Sequence, residues 1–425
     1  MTDAPLEAPA APPPPRSALS TYPWLLIGLL WLVAFFNAAD RSILIAVMPQ
    51  LRSEFHLTDT ELALINSVFF WIYAITAFLA GRLGDSARRT RVIIYGLIFW
   101  SCATGMTSLS TSFAMLLGFR GLVAFGEAFY YPTATALISD WHKPTMRSRA
   151  LSLHQTAVFA GAGLGAVFAG LLADKMGWQA PFVIFAGCGL VYAVILFRTL
   201  RDAPIRHTAA EAGKPKEPIG IVWRIKPALV LCAVFFLANG ASTGVTVWAP
   251  TYIHDALGLD LAGSALWGSA TINLAGFLSV PLGGLLADTL AKRTPIGRFY
   301  TLAIGLSAAA VLLLPLMAAS TAAMVGLVLL ATSVGKGLFD GCIYASMHDV
   351  VPPGARATAV GMMTLCGFIG AGLTPIFVAQ AAQYFGMAAG MTSLAALYVI
   401  AVALLLATRG PTRRAVLANA HDLEH

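Results

Sequence analysis

Residues 81–91 read GRLGDSARRTR, and residues 283–293 read GGLLADTLAKR. Each stretch closes an apolar run of about 20 residues, the length a helix needs to cross the hydrocarbon core of a bilayer. Gly81 and Asp85 of the first stretch correspond to Gly284 and Asp288 of the second, and basic residues follow in both. A second pair of loops repeats in the same order: SDWHKPTMRSRA (139–150) is echoed by HDVVPPGARATA (348–359). A chain that carries the same two loops twice is built from two similar halves.

Composition says where those halves reside. Of 425 residues 58% are hydrophobic and only 11% are charged, with a mean hydropathy of +0.76. Soluble domains carry about 25% charged residues, so the chain reads as a bilayer protein. Apolar windows predict twelve membrane helices at 24–47, 61–81, 91–110, 113–138, 149–173, 181–200, 227–249, 266–287, 298–319, 321–348, 357–381 and 384–408. The long polar interruption at 201–226 divides them six and six. The expected organisation is a disordered Pro/Ala-rich tail (1–23), a six-helix bundle (24–200), a linker (201–226), a second six-helix bundle (227–408) and a tail (409–425) whose final LEH resembles a tag remnant. The leader has no apolar core of the kind a signal peptide needs.

Charge distribution sets the orientation. Of the 27 Lys and Arg residues, Arg41, Arg120 and Lys336 fall inside spans, and only Arg52 and Lys175 fall in loops opposite the termini. All others share the side of the chain ends, which the positive-inside rule places in the cytoplasm. The net charge of +7 then reflects loops facing anionic headgroups and gives no reason to expect a nucleic-acid partner. The expected setting is the inner (plasma) membrane, as a multi-pass monomer. Cys102, Cys188, Cys232, Cys342 and Cys366 all lie in apolar segments without metal-ligand spacing and read as buried free thiols. No Walker loop, zinc cluster or nucleophile motif is present. The chain is not read as an enzyme, and no cofactor or metal is expected; its energy source is a gradient.

Two parallel six-helix halves, each a nested inverted pair, form a transporter architecture with its site at the midplane. G-x-L-G-D-x-x-R-R-x-R after span 2 resembles the signature loop of the major facilitator superfamily, and the twelve-span layout covers nearly the whole chain. NAADR (37–41) and RGLVAFGEAFYYPTATALISDW (120–141) are similar to the anion:cation symporters, which move organic anions and sugar acids with protons. Spinster-type lipid transporters share a similar pattern. The resemblance implies a conformational clasp in Gly81, Gly84, Asp85, Arg88, Arg89 and Arg91, with Asp288 as its counterpart in the second half. Ser86 departs from the basic residue usual after the Asp.

A charge at the centre of a membrane helix costs roughly 2.5–3.5 kcal/mol on insertion scales, so intramembrane ionisable residues are functional candidates. Asp40 and Arg41 lie in span 1, Arg120 and Glu127 in span 4, Lys336 and Asp340 in span 10. Arg120 and Glu127, two turns apart, share a face that Tyr130 and Tyr131 extend, and Asn37 precedes Asp40 and Arg41 by about one turn. By helical rise Asp40, Arg41 and Arg120 are expected at one depth, with Glu127 ~10 Å nearer the cytoplasm, which predicts an Asp40–Arg120 pair. Glu127 and Lys336 occupy equivalent positions of the two halves and are expected to face each other across the cavity; a local Lys336–Asp340 pair is the alternative.

The expected mechanism assigns proton coupling to Asp40 and Glu127. Arg41 and Arg120, with Asn37, Tyr130, Tyr131, His154, Gln155, Asn239, Lys336 and Asp340, are assigned to the substrate. Arginine stays charged and offers a planar fork to a carboxylate, while a neighbouring acid can gain or lose a proton as the cavity's access changes. Thr243, Trp248 and Asn273 either line the second half of the site or hydrogen-bond between helices. Gly161, Gly165 and Ala169 read as a small-residue packing stripe. The function expected is proton-coupled symport of an organic anion, with a lipid carrier or a non-transporting sensor on the same fold as alternatives.

Overall fold

The computed structural model describes residues 22–83, 88–142, 144–203, 219–352 and 355–421. Among the described residues the chain is all-helical, and eleven helices are long and apolar enough to cross a membrane. The first half holds α1 (Tyr22–Phe55), α2 (Asp59–Leu83), α3 (Arg89–Thr107), α4 (Phe113–Trp141), α5 (Pro144–Met176) and α6 (Gln179–Thr199). The second holds α7 (Lys226–Leu257), α8 (Leu261–Ala291), α9 (Gly297–Ala318), α10 (Ala322–Val350), α11 (Arg356–Phe385) and α12 (Met387–Ala407). The span outside the eleven is α3, a 19-residue helix whose first turn carries Arg89 and Arg91; it turns Thr90, Ser101, Thr104 and Thr107 inward, where they are buried.

Several helices outrun the apolar windows that predicted them, because backbone hydrogen bonding does not stop where lipid ends. α1 continues to Phe55 and α7 to Leu257. The stretch expected as a tail forms α13 (Arg409–His421), docked through buried Thr412 and a hydrogen bond from Asn419 Nδ2 to the Asp349 carbonyl. Cys102 and Cys188, expected buried, are exposed on outer helix faces, whereas Cys232 and Cys342 are buried.

The repeat is visible in local structure. Ser112 caps α4 by accepting from the Met115 N–H at 3.3 Å, and Thr321 caps α10 by accepting from Met324 at 3.2 Å. Glycines with positive φ, Gly177 and Gly386, end α5 and α11. Arg89 pairs with Asp140, and Arg298 pairs with Asp349 at 2.7 Å; both pairs span 51 residues. Asp288 also accepts from Arg298 at 3.2 Å. Its partner is thus one helix further on than the basic residues that directly follow it. Gly84 and Asp85 lie outside the described residues, as does Ser86; Gly81 lies in α2, and Arg88 precedes α3.

Helices α1 and α5 pack closely in the first half, as α7 and α11 do in the second. A Cβ on Gly161 would overlap the Phe35 carbonyl, and one on Gly165 would meet Ala39 Cα at 2.6 Å. The small-residue stripe is packing.

The halves meet along α2–α11 and α5–α8. At the face opposite the chain ends, Arg52 pairs with Asp59 at 2.5 Å and also with Asp255 of the other half. Beside it, Asp174 of α5 accepts the N–H groups of Leu261 and Ala262 at 3.1 and 3.0 Å, so a carboxylate of one half caps a helix of the other. These links hold the far face shut. Arg52→Ala is expected to shift the conformational balance toward opening of that face by up to about five-fold, the scale of a solvent-exposed ion pair. Cysteine accessibility from each side reads the shift, and an unchanged ratio counts against the latch.

Candidate functional site

The intramembrane charges of α1 and α4 converge, with partners different from those expected. Arg41 Nε donates to Glu127 Oε2 at 2.7 Å, and Arg41 Nη2 donates to Asn37 Oδ1 at 2.5 Å. Arg120 Nη2 donates to the Arg41 carbonyl at 3.3 Å. Asp40 accepts from Thr104 Oγ1 of α3 at 3.5 Å, so the predicted Asp40–Arg120 ion pair does not form.

Two things moved the pairing. Cα depth ignores side-chain length, and the long Arg41 side chain reaches down to the Glu127 level. α4 is also interrupted: it runs Phe113–Glu127, turns at Ala128 and Phe129, and resumes at Tyr130–Trp141. Pro132 causes the break, because it has no N–H for the Ala128 carbonyl and its ring crowds that oxygen. Glu127 therefore ends a helix segment.

The two tyrosines are adjacent in the resumed segment and diverge by about 100° around it. Tyr130 is buried, not a cavity wall; its hydroxyl donates to the Leu30 carbonyl at 2.6 Å and meets His154 Nε2 at 2.8 Å. With its one proton spent on Leu30, Tyr130 accepts from His154, which fixes the Nε2–H tautomer. Tyr131 is exposed and donates to Gln155 Oε1 at 2.5 Å. Tyr130→Phe is expected to leave the His154 donor unpaired at a cost of about 1–3 kcal/mol. That appears as a lower Tm with substrate affinity within two-fold of wild type; a large affinity loss would return Tyr130 to the site.

Burial sorts the charged groups. Glu127 is 0% exposed, Asp40 4% and Arg120 5%, whereas the Arg41 side chain is 26% exposed. Arg120 lies over the Phe69 ring at 4.3 Å and Arg41 over Tyr73 at 4.8 Å. Arg41 is thus the accessible cation, with Arg120 behind it. Asp40 Oδ1, Glu127 Oε1, Asn37 Nδ2 and Arg120 Nε are buried without a hydrogen-bond partner. Unmet polar atoms in such a cluster are costly unless another group satisfies them.

Sequence reading missed Phe69, Tyr73 and Thr104. The aromatic pair has a signal in hindsight, since residues four apart on α2 share one face and can cover two guanidinium groups. Tyr73 reaches further: it stacks on Phe368 of α11 at 4.9 Å, joining the charged site to the other half.

The second half contributes less than expected. Lys336 does not face Glu127; its Nζ donates to both Asp340 oxygens at 2.6 and 2.7 Å, the local alternative. Asn239 donates to the Gly367 carbonyl at 3.1 Å and Trp248 to the Pro375 carbonyl at 2.9 Å, tying α7 to α11. Asn273 donates within its own helix to Ser269 at 2.8 Å.

The family model described as the Major Facilitator Superfamily matches residues 30–375. The chain belongs to that superfamily. It is a multi-pass membrane transporter and not an enzyme. It is 28% identical over 402 residues to a hexuronate transporter of Bacillus subtilis (strain 168), covering 88% of this chain and 93% of the relative. It is 29% identical over 319 residues to protein spinster of Drosophila melanogaster, covering 72% of this chain and 52% of that one. Its fold matches the crystal structure of a bacterial homologue of the human lysosomal transporter spinster, in an inward-facing and unoccupied conformation, with a TM-score of 0.81. That match covers 94% of this chain and 98% of the other at 20% identity.

Proposed function

We propose that this transporter carries a small organic anion, a carboxylate or sugar acid, across the inner membrane together with protons, with both termini in the cytoplasm. The observation that carries the reading is the Arg41–Glu127 ion pair at 2.7 Å, whose arginine is accessible and whose carboxylate is fully buried. An incoming carboxylate takes the Arg41 fork in place of Glu127. The displaced Glu127 then sits fully buried without its direct ion-pair partner, a state that costs several kcal/mol per ion unless it takes up a proton. Anion binding and proton uptake are thereby linked at one arginine. Asp40, buried one residue away with one oxygen unpartnered, is the second proton site. Arg120 supports the positive field behind Arg41.

Alternating access follows from the way the site is tied to both halves. Replacing Glu127 on Arg41 disturbs the cation over Tyr73, and Tyr73 is stacked on Phe368 of the opposite half. The similarity to a hexuronate transporter supports an anionic substrate. A lipid carrier is the second reading, favoured by the 29% identity to protein spinster. A thermal-shift screen of the purified protein against hexuronates, small carboxylates and lysolipids separates the two, because a ligand that binds only the folded state raises Tm. Stabilisation by carboxylates supports the proposal; stabilisation by lysolipids alone replaces it.

A further inference from the structure

A groove of about 600 Å³ runs between α3 and α4 on the exposed outer side of the first half. Its walls are Tyr95 and Phe99 of α3 and Phe125 and Phe129 of α4, and Arg88 and Arg91 stand at its mouth. Tyr95, Phe99 and Phe125 are exposed, as are both arginines. Small residues make the hollow. A Cβ on Gly96 would touch nothing nearer than the Gly126 carbonyl at 3.6 Å and the Trp100 ring at 3.7 Å.

The dimensions fit one leaflet. From Arg89, the first residue of α3, to Phe99 is ten residues of helix, about 15 Å at 1.5 Å each, and half of a ~30 Å hydrocarbon core is about 15 Å. The arginines lie at the membrane surface on the side of the chain ends, and the aromatic floor reaches the midplane. A guanidinium pair above an aromatic trough matches a phosphodiester joined to an acyl chain, since Arg binds phosphate oxygens through its fork.

We infer that the α3–α4 groove is a binding site for an anionic phospholipid, its headgroup held by Arg88 and Arg91 and one acyl chain laid along Tyr95, Phe99, Phe125 and Phe129. The occupant braces the outer side of the turn in α4 whose inner side carries Glu127. The site is distinct from the transported substrate's, and its test does not depend on transport.

Native mass spectrometry of the full-length protein, released from nanodiscs of equal phosphatidylglycerol and phosphatidylcholine, measures retained lipid. Wild type is expected to retain phosphatidylglycerol preferentially. Arg88→Gln/Arg91→Gln is expected to lower that preference about 30-fold, from roughly five-fold per interfacial arginine. Gly96→Leu, which fills the groove and keeps the charges, is expected to remove the same bound lipid. Lys292→Gln/Arg293→Gln, exposed on the same membrane side in the other half, is expected to leave it unchanged. Soluble glycerol phosphate, a headgroup without a tail, should not displace the lipid; displacement would reassign the arginines to a free phosphate and overturn the lipid site. Equal retention of the two lipids by wild type, or equal losses in the two charge-removal variants, would reduce the effect to general surface electrostatics and overturn it too.

Discussion

Glu127→Gln is expected to abolish gradient-driven accumulation while substrate binding survives. The amide cannot carry a proton, so in reconstituted vesicles the variant should equilibrate substrate to an inside-to-outside ratio near one whatever pH gradient is imposed. Removing the carboxylate also removes the competitor for Arg41, which it now holds at 2.7 Å. Breaking a buried pair from one side leaves its partner uncompensated, at roughly 3–5 kcal/mol when burial is complete. The Arg41 side chain is partly exposed, so the cost here is smaller, and a bound anion can relieve it. The variant should therefore be less stable than wild type when empty and gain more Tm than wild type on adding substrate. Asp40→Asn should share the loss of coupling without the larger Tm gain, because Asp40 is not on Arg41. Full proton-driven accumulation by both variants would remove these acids from the coupling mechanism.

Arg41→Lys is expected to lower substrate affinity by at least ten-fold, with the fold intact. Lysine keeps the charge and loses the planar fork that lets Arg41 hold Asn37 and Glu127 through separate nitrogens. Arg120→Lys should cost less in this conformation, since Arg120 lies under Phe69 and reaches the site through the Arg41 carbonyl. Equilibrium binding to wild type and both variants measures the difference. Unchanged affinity in both would overturn the anion reading and favour a lipid substrate.

How much of this was legible in the sequence differs between fold and site. The helices were, because apolar length and loop charge are properties of the string, and the duplicated loops fixed the repeat. Arg298–Asp349 follows Arg89–Asp140 at the same separation, but matching Asp85 to Asp288 sets Arg89 against Lys292, so the loop alignment did not reveal that pair. The charged residues were also legible as a set, since nothing hides an Asp–Arg pair among Phe, Ala and Leu. Their partners were not. Pairing by depth treats α4 as a straight rod and side chains as points; Pro132 breaks the rod beside Glu127, and Arg41 spans the difference. Lys336 illustrates the opposite error, in which symmetry suggested a partner across the cavity and an acid one turn away proved nearer. Phe69 and Tyr73 were legible only as a pair sharing one face of α2, because an aromatic in a membrane helix acquires a site role only when folding lays it over a cation.

The proposed transport cycle requires that anion and proton movements be linked at Arg41 and Glu127. Proteoliposomes with an alkaline lumen and a labelled hexuronate, or whichever carboxylate the Tm screen selects, measure it directly. The wild-type protein should accumulate the label above its external concentration, acidify the lumen in step, and lose the excess when a protonophore collapses the gradient. Accumulation indifferent to the protonophore, or uptake that never exceeds equilibrium in wild type, would contradict it.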